Sequence, residues 1–300
     1  MGLKILKPEI YLGKKKFLVK NIRKNSANDI YKKIGFKFIH IEDQKNIYEM
    51  AQIASSRLLK KQKVKPDFLI LVSQTQENKI PSCAEKLAKF LGMKDDSIVL
   101  TLSSGCSGFV QALFVANKIL SGKFKRGLIV CVEKYSSIIK EKDFKTKVLF
   151  SDAASATMLV YHNQKNLLHS SFGYDGENSS ALETVFNQGK ENLKMNGNKL
   201  LLFSLNKIPK IIKFYKKKIG IIDMFLIHPG SKILHDSIIQ KSGIPPSKSP
   251  NTFSLTGNTV SSSIPLLIKE NFKSFKKNNK ILLTGFGVGL SHATVVLKWI

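Results

Sequence analysis

Three apolar runs that alternate with two helical segments constrain the fold of this chain more than any other feature. The runs extend from Phe68 to Thr75, from Ser97 to Leu102 and from Gly127 to Ser136. Apolar residues at helical spacing occupy the intervals between them, from Cys83 to Leu91 and from Phe109 to Leu120. Strands that alternate with helices predict an α/β fold with a parallel sheet, and the run that begins at Phe68 is typical of a central strand.

The second half of the chain repeats this order in outline, which predicts a pseudo-duplicated α/β protein. The strands DFLILVSQT and DMFLIHPG occupy like positions in the two halves, as do SIVLTLSSG and NTFSLTGN. The glycine-rich segment Asn163–Asn198 is predicted to be mostly loop, so the boundary between the halves 1–165 and 166–300 is placed there. The elements predicted beyond it are helices at Leu200–Lys217, Lys232–Lys241 and Thr259–Asn271, and strands MFLIHPG, ILLTGFGVGL and ATVVLKWI.

Cys106 lies where the strand Ser97–Leu102 gives way to a helix, and small residues flank it in SSGCSG. Small residues allow the backbone to turn sharply at such a point. The free N–H groups and the positive dipole end of the helix are expected to stabilise a thiolate and lower the pKa of Cys106. The position fits a nucleophile, and it fits equally well a buried cysteine that serves packing alone.

Composition narrows the classes of function. The net charge is +28, but only Arg23, Arg57 and Arg126 are arginine, so 46 of the 49 basic residues are lysine. Base recognition and bidentate phosphate binding depend heavily on arginine. We therefore expect a diffuse lysine surface and no nucleic-acid partner.

The cysteines and the apolar runs bear on location and cofactors. Cys83, Cys106 and Cys131 form no CxxC pair and have no metal-ligand spacing, so we expect no metal and a reducing cytoplasmic environment. No apolar run approaches ~20 residues, and the first residues lack the apolar core of a signal peptide. We expect no membrane span.

Further candidate residues lie in the second half. His228 ends the apolar strand MFLIHPG, and Asn258 lies in LTGNTVSSSIP, where we predict a short strand before it. Open α/β sheets bind ligands at such strand ends. The turn GFGVG, with Phe286 and Val288, leaves amides free to point into a cavity. Each feature alone is more often structural, but Cys106, His228 and Asn258 together form one candidate site.

Seven segments along the chain carry a family resemblance: SSGCSGF, KIPSCAEKLAKFLGM, VLFSDAASATMLV, MNGNKLL, LIHPGSKIL, LTGNTVSSSIP and GFGVGLSHATVVLKW. With these, the chain resembles the 3-oxoacyl-acyl-carrier-protein synthase III family of thiolase-like condensing enzymes over nearly its full length. The resemblance implies a thiolase-like fold with two pseudo-duplicated halves in α-β-α-β-α layers. It also implies that a thioester primer acylates Cys106, and that His228 and Asn258 bind the malonyl thioester carbonyl and promote decarboxylation.

The resemblance implies supporting roles as well. The backbone N–H groups of Cys106 and Val288 are expected to form the oxyanion hole, with Phe286 packed near His228 and Cys106. Histidine and asparagine side chains can both donate to one enolate oxygen, whereas a carboxylate at position 258 would repel it.

Three residues are candidates for the acyl pocket or for substrate binding by resemblance: Ile80, Lys33 and Ser231. The family's tryptophan and arginines for the coenzyme A adenine are absent from the matching stretch NDIYKKIGFKFIHI. The family's glutamine-alanine-asparagine after the histidine is replaced by Pro229, Gly230 and Ser231. These departures indicate a specialised member with an unusual primer.

The expected partners are acyl carrier protein and the acyl-CoA and malonyl thioesters, with a homodimer as the assembly and no metal or redox cofactor. A lysine-rich rim would attract an acidic carrier protein. Three alternatives stay open from the sequence. They are an acyltransferase that moves the acyl group from Cys106 to an amine or hydroxyl, a basic binding protein without catalysis, and a thiol protease.

Overall fold

The computed structural model describes residues 2–21, 34–187 and 189–300, and the account below concerns these residues. The strands are β1 Gly2–Ile5, β2 Glu9–Leu12, β3 Lys15–Leu18, β4 Phe38–Ile41, β5 Phe68–Val72, β6 Ile98–Leu102, β7 Arg126–Glu133, β8 Ala153–His162, β9 Leu167–Tyr174, β10 Leu182–Asn187, β11 Lys190–Met195, β12 Met224–Ile227, β13 Lys280–Gly287 and β14 Ser291–Lys298. The α-helices are α1 Ile47–Gln62, α2 Ala84–Phe90, α3 Gly105–Ile119, α4 Phe144–Lys147, α5 Gly197–Ile219, α6 Lys232–Ser242, α7 Phe253–Thr256 and α8 Ser263–Glu270.

The first sheet has six strands, with the neighbours in the order β1, β8, β7, β5 and β6, and with β2 also paired to β8. Strand β5 lies between β6 and β7 and is parallel to both. Every residue of β5 is buried, as its unbroken apolar run predicts. The prediction of a central parallel strand is therefore confirmed.

The second sheet has four strands in the order β12, β13, β14 and β9. Strands β12 and β13 are parallel, and Ile227 lies opposite Thr284. The segment Asn163–Asn198 was expected to be mostly loop, and this prediction is wrong. It contains β9 and the hairpin of β10 and β11, whose outer residues face solvent and are too polar to show an apolar alternation.

Five layers follow from the packing of helices on the two sheets. Helices α1 and α2 cover the outer face of the first sheet, and α5 and α6 cover the outer face of the second. Helices α3 and α8 lie between the sheets, where Phe109 and Leu267 join Ile70 and Leu283 in one core. This is the α-β-α-β-α arrangement of a thiolase-like fold.

The segment before Asn258 differs from its expected form. NTFSLTGN was predicted to contain a strand, but Phe253–Thr256 is a short helix. The ring of Phe253 packs against that of Phe36, which precedes β4, with the ring centroids 5.9 Å apart. The hydroxyl of Thr256 donates to the carbonyl of Thr252 at 3.0 Å. Asn258, at the end of the segment, pairs with Phe150 in an isolated parallel bridge.

None of the helices in the described part of the chain has the length and apolar character needed to cross a bilayer.

Candidate active site

The turn at the start of α3 holds Cys106 in the first helical turn. Gly105 has a φ of +47°, and a Cβ at this position would lie 2.4 Å from Oε1 of Gln74 and 2.6 Å from Cγ1 of Val288. A residue with a side chain would meet both backbone strain and two collisions there. The sharp turn that SSGCSG predicts is therefore built on a glycine, and a larger residue there would be strained and would displace its neighbours.

The ionisation of Cys106 differs from the expectation. The side chain is buried, and burial raises the pKa of Cys106 to about 12, with a further contribution from the charge of Glu133. Hydrogen bonds to the sulfur from the backbone N–H groups of Cys106 and Val288 lower the pKa but do not offset this. The prediction of a lowered thiol pKa is wrong because desolvation outweighs the helix terminus.

His228 follows β12 and is held by the second sheet. Its backbone N–H donates to the carbonyl of Thr284 at 2.9 Å. The ring of Phe286 stands edge-on to the imidazole, with centroids 5.7 Å apart and planes at 88°. Burial lowers the pKa of His228 to about 3, so the imidazole is neutral at pH 7. Its Nδ1 is buried and has no hydrogen-bond partner among the described residues.

Asn258 is fixed at three points. Its backbone N–H donates to the carbonyl of Leu149 at 3.0 Å, and its own carbonyl accepts from the N–H of Ser151 at 2.8 Å. Its side-chain Oδ1 accepts from the N–H of Val260 at 2.9 Å. Because the amide oxygen is used by the protein, the amide NH2 is the group left to donate to a substrate.

One cavity of about 230 Å³ brings the three residues together: Cys106, His228 and Asn258 all line it, beside Phe286. The rest of the lining is mostly apolar, with contributions from α5, the first turn of α6 and the hairpin of β10 and β11. The sequence prediction that these three residues share a site agrees with this arrangement. A largely apolar cavity with fixed donors suits a reaction in which a transient oxyanion forms.

The remaining predicted residues are distributed differently. Ser231 lines the cavity and also caps α6, since its hydroxyl accepts from the N–H of Leu234 at 3.3 Å. Val288 does not line this cavity but contacts the sulfur of Cys106 through its backbone N–H. Lys33 lies outside the described residues.

Ile80 does not line the cavity, and its place near the end of the acyl pocket stays a prediction. Its side chain is 93% exposed. The chain from Glu77 to Ile80 runs along the outside of the molecule between β5 and α2.

Sequence reasoning missed Glu133, a fully buried carboxyl at the end of β7. Burial raises its pKa to about 8, and the hydroxyl of Thr75 donates to it at 3.0 Å. A charged residue that ends the apolar run LIVCVE is the signal that could have identified it. The apolar wall formed by Leu182 and Met195 was also missed, because it belongs to the hairpin that was predicted to be loop.

In the part of the chain that the structure describes, no group of three or more histidine, cysteine, aspartate or glutamate side chains is arranged to bind a metal ion. The polar groups of the cavity are a thiol, an imidazole, an amide and the Ser204 and Ser231 hydroxyls. These groups suit acyl transfer through a thioester to Cys106.

Two family models match the chain. Residues 100–176 match 3-oxoacyl-[acyl-carrier-protein (ACP)] synthase III, and residues 216–299 match its C-terminal model. Beta-ketoacyl-[acyl-carrier-protein] synthase III of Lactococcus lactis subsp. cremoris SK11 is 30% identical over 292 residues, which is 90% of each chain.

Solved structures agree with these matches. A 3-oxoacyl-(acyl-carrier protein) synthase from Burkholderia xenovorans LB400 has a TM-score of 0.92 at 27% identity, over 100% of this chain and 94% of that one. The 3-oxoacyl-[acyl-carrier-protein] synthase III of Aquifex aeolicus VF5 has a TM-score of 0.90 at 27% identity, over 99% of this chain and 100% of that one. The chain therefore belongs to the beta-ketoacyl-[acyl-carrier-protein] synthase III family.

Proposed function

We propose that the protein joins an acyl thioester to malonyl-acyl-carrier protein by decarboxylative Claisen condensation, as a beta-ketoacyl-acyl-carrier-protein synthase III. The observation that carries this proposal is the convergence of Cys106, His228 and Asn258 on one largely apolar cavity. Acyl-chain biosynthesis is the setting for such a reaction, and the thioester substrates themselves supply the reactive groups without a metal or redox cofactor.

In the first half-reaction the sulfur of Cys106 attacks the carbonyl carbon of the acyl thioester. A carbon–sulfur bond forms to Cys106, the carbon–sulfur bond of the donor breaks, and the thiol proton of Cys106 leaves with the departing thiol. We assign the transient oxyanion to the N–H groups of Cys106 and Val288, because both already donate to the sulfur at that point.

In the second half-reaction the malonyl thioester loses carbon dioxide. The bond to its carboxylate breaks, and the electron pair forms an enolate whose oxygen accepts hydrogen bonds from the His228 ring and the Asn258 amide. The enolate carbon then attacks the acyl carbonyl on Cys106. A carbon–carbon bond forms, the carbon–sulfur bond to Cys106 breaks, and the thiolate takes a proton from solvent.

The low pKa of His228 supports condensation. A neutral imidazole can donate an N–H to the enolate oxygen, and it does not need to remove a proton from carbon because carbon dioxide leaves instead. Acyl transfer from Cys106 to a hydroxyl would instead need a base with a pKa near the working pH. Among the residues that line the cavity, neither His228 nor Asn258 meets that requirement.

The charge of α5 supports acyl carrier protein as the donor. Its first turns line the cavity, and its outer face carries the exposed lysines Lys207, Lys210 and Lys213. A basic surface beside the cavity would attract an acidic carrier domain, at a rate that depends on ionic strength.

We further propose a homodimer built from chains that each contain two halves, residues 1–165 and 166–300. The edge strand β6 supports the dimer, because it has pairing on one side only and its apolar residues are partly exposed. The two sheets support the division, because the first is built from strands that end at His162 and the second from strands that begin at Leu167.

Intact-protein mass spectrometry tests the proposed function. The full chain is mixed with acyl-CoA and acyl-carrier-protein thioesters, and malonyl-carrier protein is then added with detection of carbon dioxide. An acyl adduct should form, disappear in Cys106→Ala but persist in Cys83→Ala, and discharge with release of carbon dioxide. Discharge to an amine or hydroxyl without carbon dioxide would replace condensation by simple acyl transfer, and no adduct at all would overturn both.

A further inference from the structure

The two N–H groups assigned to the transient oxyanion come from segments far apart in the sequence. Cys106 lies in the first turn of α3, and Val288 lies in the turn between β13 and β14. The two backbones are in direct contact: a Cβ on Gly285 would lie 2.4 Å from the carbonyl oxygen of Cys106, and one on Gly287 would lie 3.1 Å from its sulfur. The spacing of the two donors therefore depends on how α3 and this turn are held together.

Side-chain hydrogen bonds connect the two segments. The hydroxyl of Ser104 donates to the side-chain oxygen of Gln111 at 2.8 Å, and the amide of Gln111 donates to the hydroxyl of Ser107 at 3.0 Å. The hydroxyls of Ser107 and Ser291 are 2.9 Å apart, and that of Ser291 donates to the carbonyl of Val288 at 2.9 Å. The side chains of Ser104, Gln111, Ser107 and Ser291 thus form a polar bridge from α3 to the residue that carries the second donor.

The donors and acceptors of the polar bridge give it a direction. A hydroxyl has one proton to donate. Because Ser291 donates to Val288, it accepts in its contact with Ser107. The hydroxyl of Ser107 is therefore the donor there, and it also lies 3.0 Å from the carbonyl of Ser104 in the same helical turn. Ser107 is buried, and a buried polar network whose members are all paired holds its parts rigidly.

The turn that contains Val288 needs such support. Leu290 has a φ of +24°, which is a strained conformation for a residue with a side chain. Strain of this kind persists only where the surrounding structure imposes it. The carbonyl of Val288 accepts from both the backbone N–H and the hydroxyl of Ser291. Ser291 therefore closes the turn with its backbone and connects it to α3 with its side chain.

We propose that the polar bridge sets the position of the Val288 N–H relative to the N–H of Cys106, so that Ser107 and Ser291 are positioning residues for the oxyanion. The inference rests on the proposed function, since it requires that an acyl carbonyl reaches Cys106. Neither serine lines the cavity, so both act through the backbone of Val288. Oxyanion donors must be in place before the charge develops, and a misplacement of about 1 Å can cost about 10²-fold in rate.

Two reactions of Cys106 separate this role from a general structural one. Attack on a thioester carbonyl develops an oxyanion, whereas alkylation by iodoacetamide displaces iodide from a saturated carbon and needs no oxyanion donors. The acyl donor is the thioester that labels the wild type fastest, chosen from a panel of acyl-CoA and acyl-carrier-protein thioesters. Intact-protein mass spectrometry of the full chain gives both rates at one pH. Their ratio removes any change in the ionisation of the thiol, because both reactions use the same thiolate.

Three variants of the polar bridge give the expected pattern. Ser291→Ala should lower the ratio of acylation to alkylation about tenfold. This is less than the loss of about 10²–10³-fold for an oxyanion donor removed outright, because the N–H of Ser291 still donates to Val288. Ser107→Ala should lower the ratio similarly, and the double variant should lower it no further, since both hydroxyls belong to one series of bonds. Ser291→Thr keeps the hydroxyl and should restore the wild-type ratio.

Ser249→Ala is the matched control. Ser249 is buried like Ser107, and its hydroxyl also has protein partners, with Nε2 of His235 at 3.1 Å and the carbonyl of Phe225 at 3.3 Å. It does not line the cavity. Loss of this hydroxyl should leave the ratio of acylation to alkylation unchanged.

The outcomes distinguish this inference from the proposed function. A wild-type ratio in Ser291→Ala, a loss that Ser291→Thr does not restore, or an equal loss in Ser249→Ala overturns the positioning role and leaves condensation intact. Slower acylation together with faster alkylation would mean that the turn has opened, and it also overturns that role. The absence of any adduct on the wild type with every thioester overturns the proposed function and this inference together.

Discussion

The backbone N–H of Gln74 donates to both carboxylate oxygens of Glu133, at 3.2 and 3.1 Å. The side-chain oxygen of the same glutamine accepts from the phenol of Tyr135 and occupies the space where a side chain on Gly105 would lie. Glu133 therefore anchors the residue that packs against the turn before Cys106. This buried carboxyl belongs to the support of the nucleophile, although it does not line the cavity.

Replacement of Glu133 by glutamine is expected to change how stability depends on pH. Burial raises the pKa of Glu133 from 4.5 to about 8, so between these values the folded protein binds a proton that the unfolded chain releases. The stabilising contribution of the neutral group is present in full below pH 4.5 and is lost as pH rises through 8. The unfolding free energy of the wild type minus that of Glu133→Gln should fall by at most about 1.4 kcal/mol per pH unit in this window.

Urea unfolding at pH 5, 6.5 and 8 provides the measurement. Glu191→Gln is the control, because hydrogen bonds from Lys79 and Thr184 outweigh the effect of burial and lower the pKa of Glu191. Its difference from the wild type should not fall between pH 5 and 8. A constant difference for Glu133→Gln across the same range would show that the carboxyl is already ionised when buried.

The apolar patterns were sufficient to predict an α/β fold with a central parallel strand, whereas its layers were implied by the family resemblance. The unbroken run of β5 predicts a strand buried on both faces, and helical spacing predicts α2, α3 and α5. Strands that consist largely of polar residues were harder to predict from the sequence. The strands of the hairpin, which contain Glu183 and Lys194, carry side chains that face solvent, so no apolar period indicates them.

In the candidate site, too, local features of the sequence identified the residues, but they did not predict a property that depends on distant parts of the chain. Cys106, His228 and Asn258 were found because their neighbouring glycines, serines and strand ends are local features of the sequence. The ionisation of Cys106 depends on burial and on residues distant in the chain: the charge of Glu133 raises the pKa of the thiol, and a hydrogen bond from the backbone N–H of Val288 lowers it. A local helix-terminus argument contains no information about that desolvation, and for this reason it gave the wrong direction for the pKa.

The reactivity of Cys106 towards iodoacetamide should rise steadily with pH. Because burial raises the pKa of this thiol to about 12, the thiolate fraction increases about tenfold for each pH unit up to that value. Mass spectrometry of the alkylated peptide between pH 7 and pH 10 measures the rate. Free glutathione serves as the reference, and its rate should level off near its own pKa. A plateau for Cys106 below pH 9 would indicate a thiolate stabilised by the helix.

Asn258→Asp should separate the two half-reactions. The carboxylate can still accept from the N–H of Val260, so the local fold is retained, but its charge repels the enolate oxygen. We expect acylation of Cys106 to continue, while carbon dioxide release falls by about 10²–10³-fold. Parallel assays of the acyl adduct and of carbon dioxide provide the test. Equal losses in both would mean that Asn258 acts in acylation as well.

The decarboxylation step should show no inflection near pH 6.5, the ordinary pKa of histidine. Burial lowers the pKa of His228 to about 3, so the ring stays a neutral donor from pH 8 to pH 5. Carbon dioxide release from malonyl-carrier protein, measured with Cys106 already acylated, is expected to be flat over this range apart from the titration of other groups.

The same shift has a consequence for stability, with the opposite sign to that of Glu133. Below pH 6.5 the unfolded chain protonates this histidine while the folded protein does not, so the free energy of unfolding falls as pH decreases from 6.5 towards 3. His228→Gln should remove that part of the acid sensitivity and retain an N–H donor for the enolate. A variant that loses stability in acid as steeply as the wild type would show that His228 is not the buried neutral group responsible.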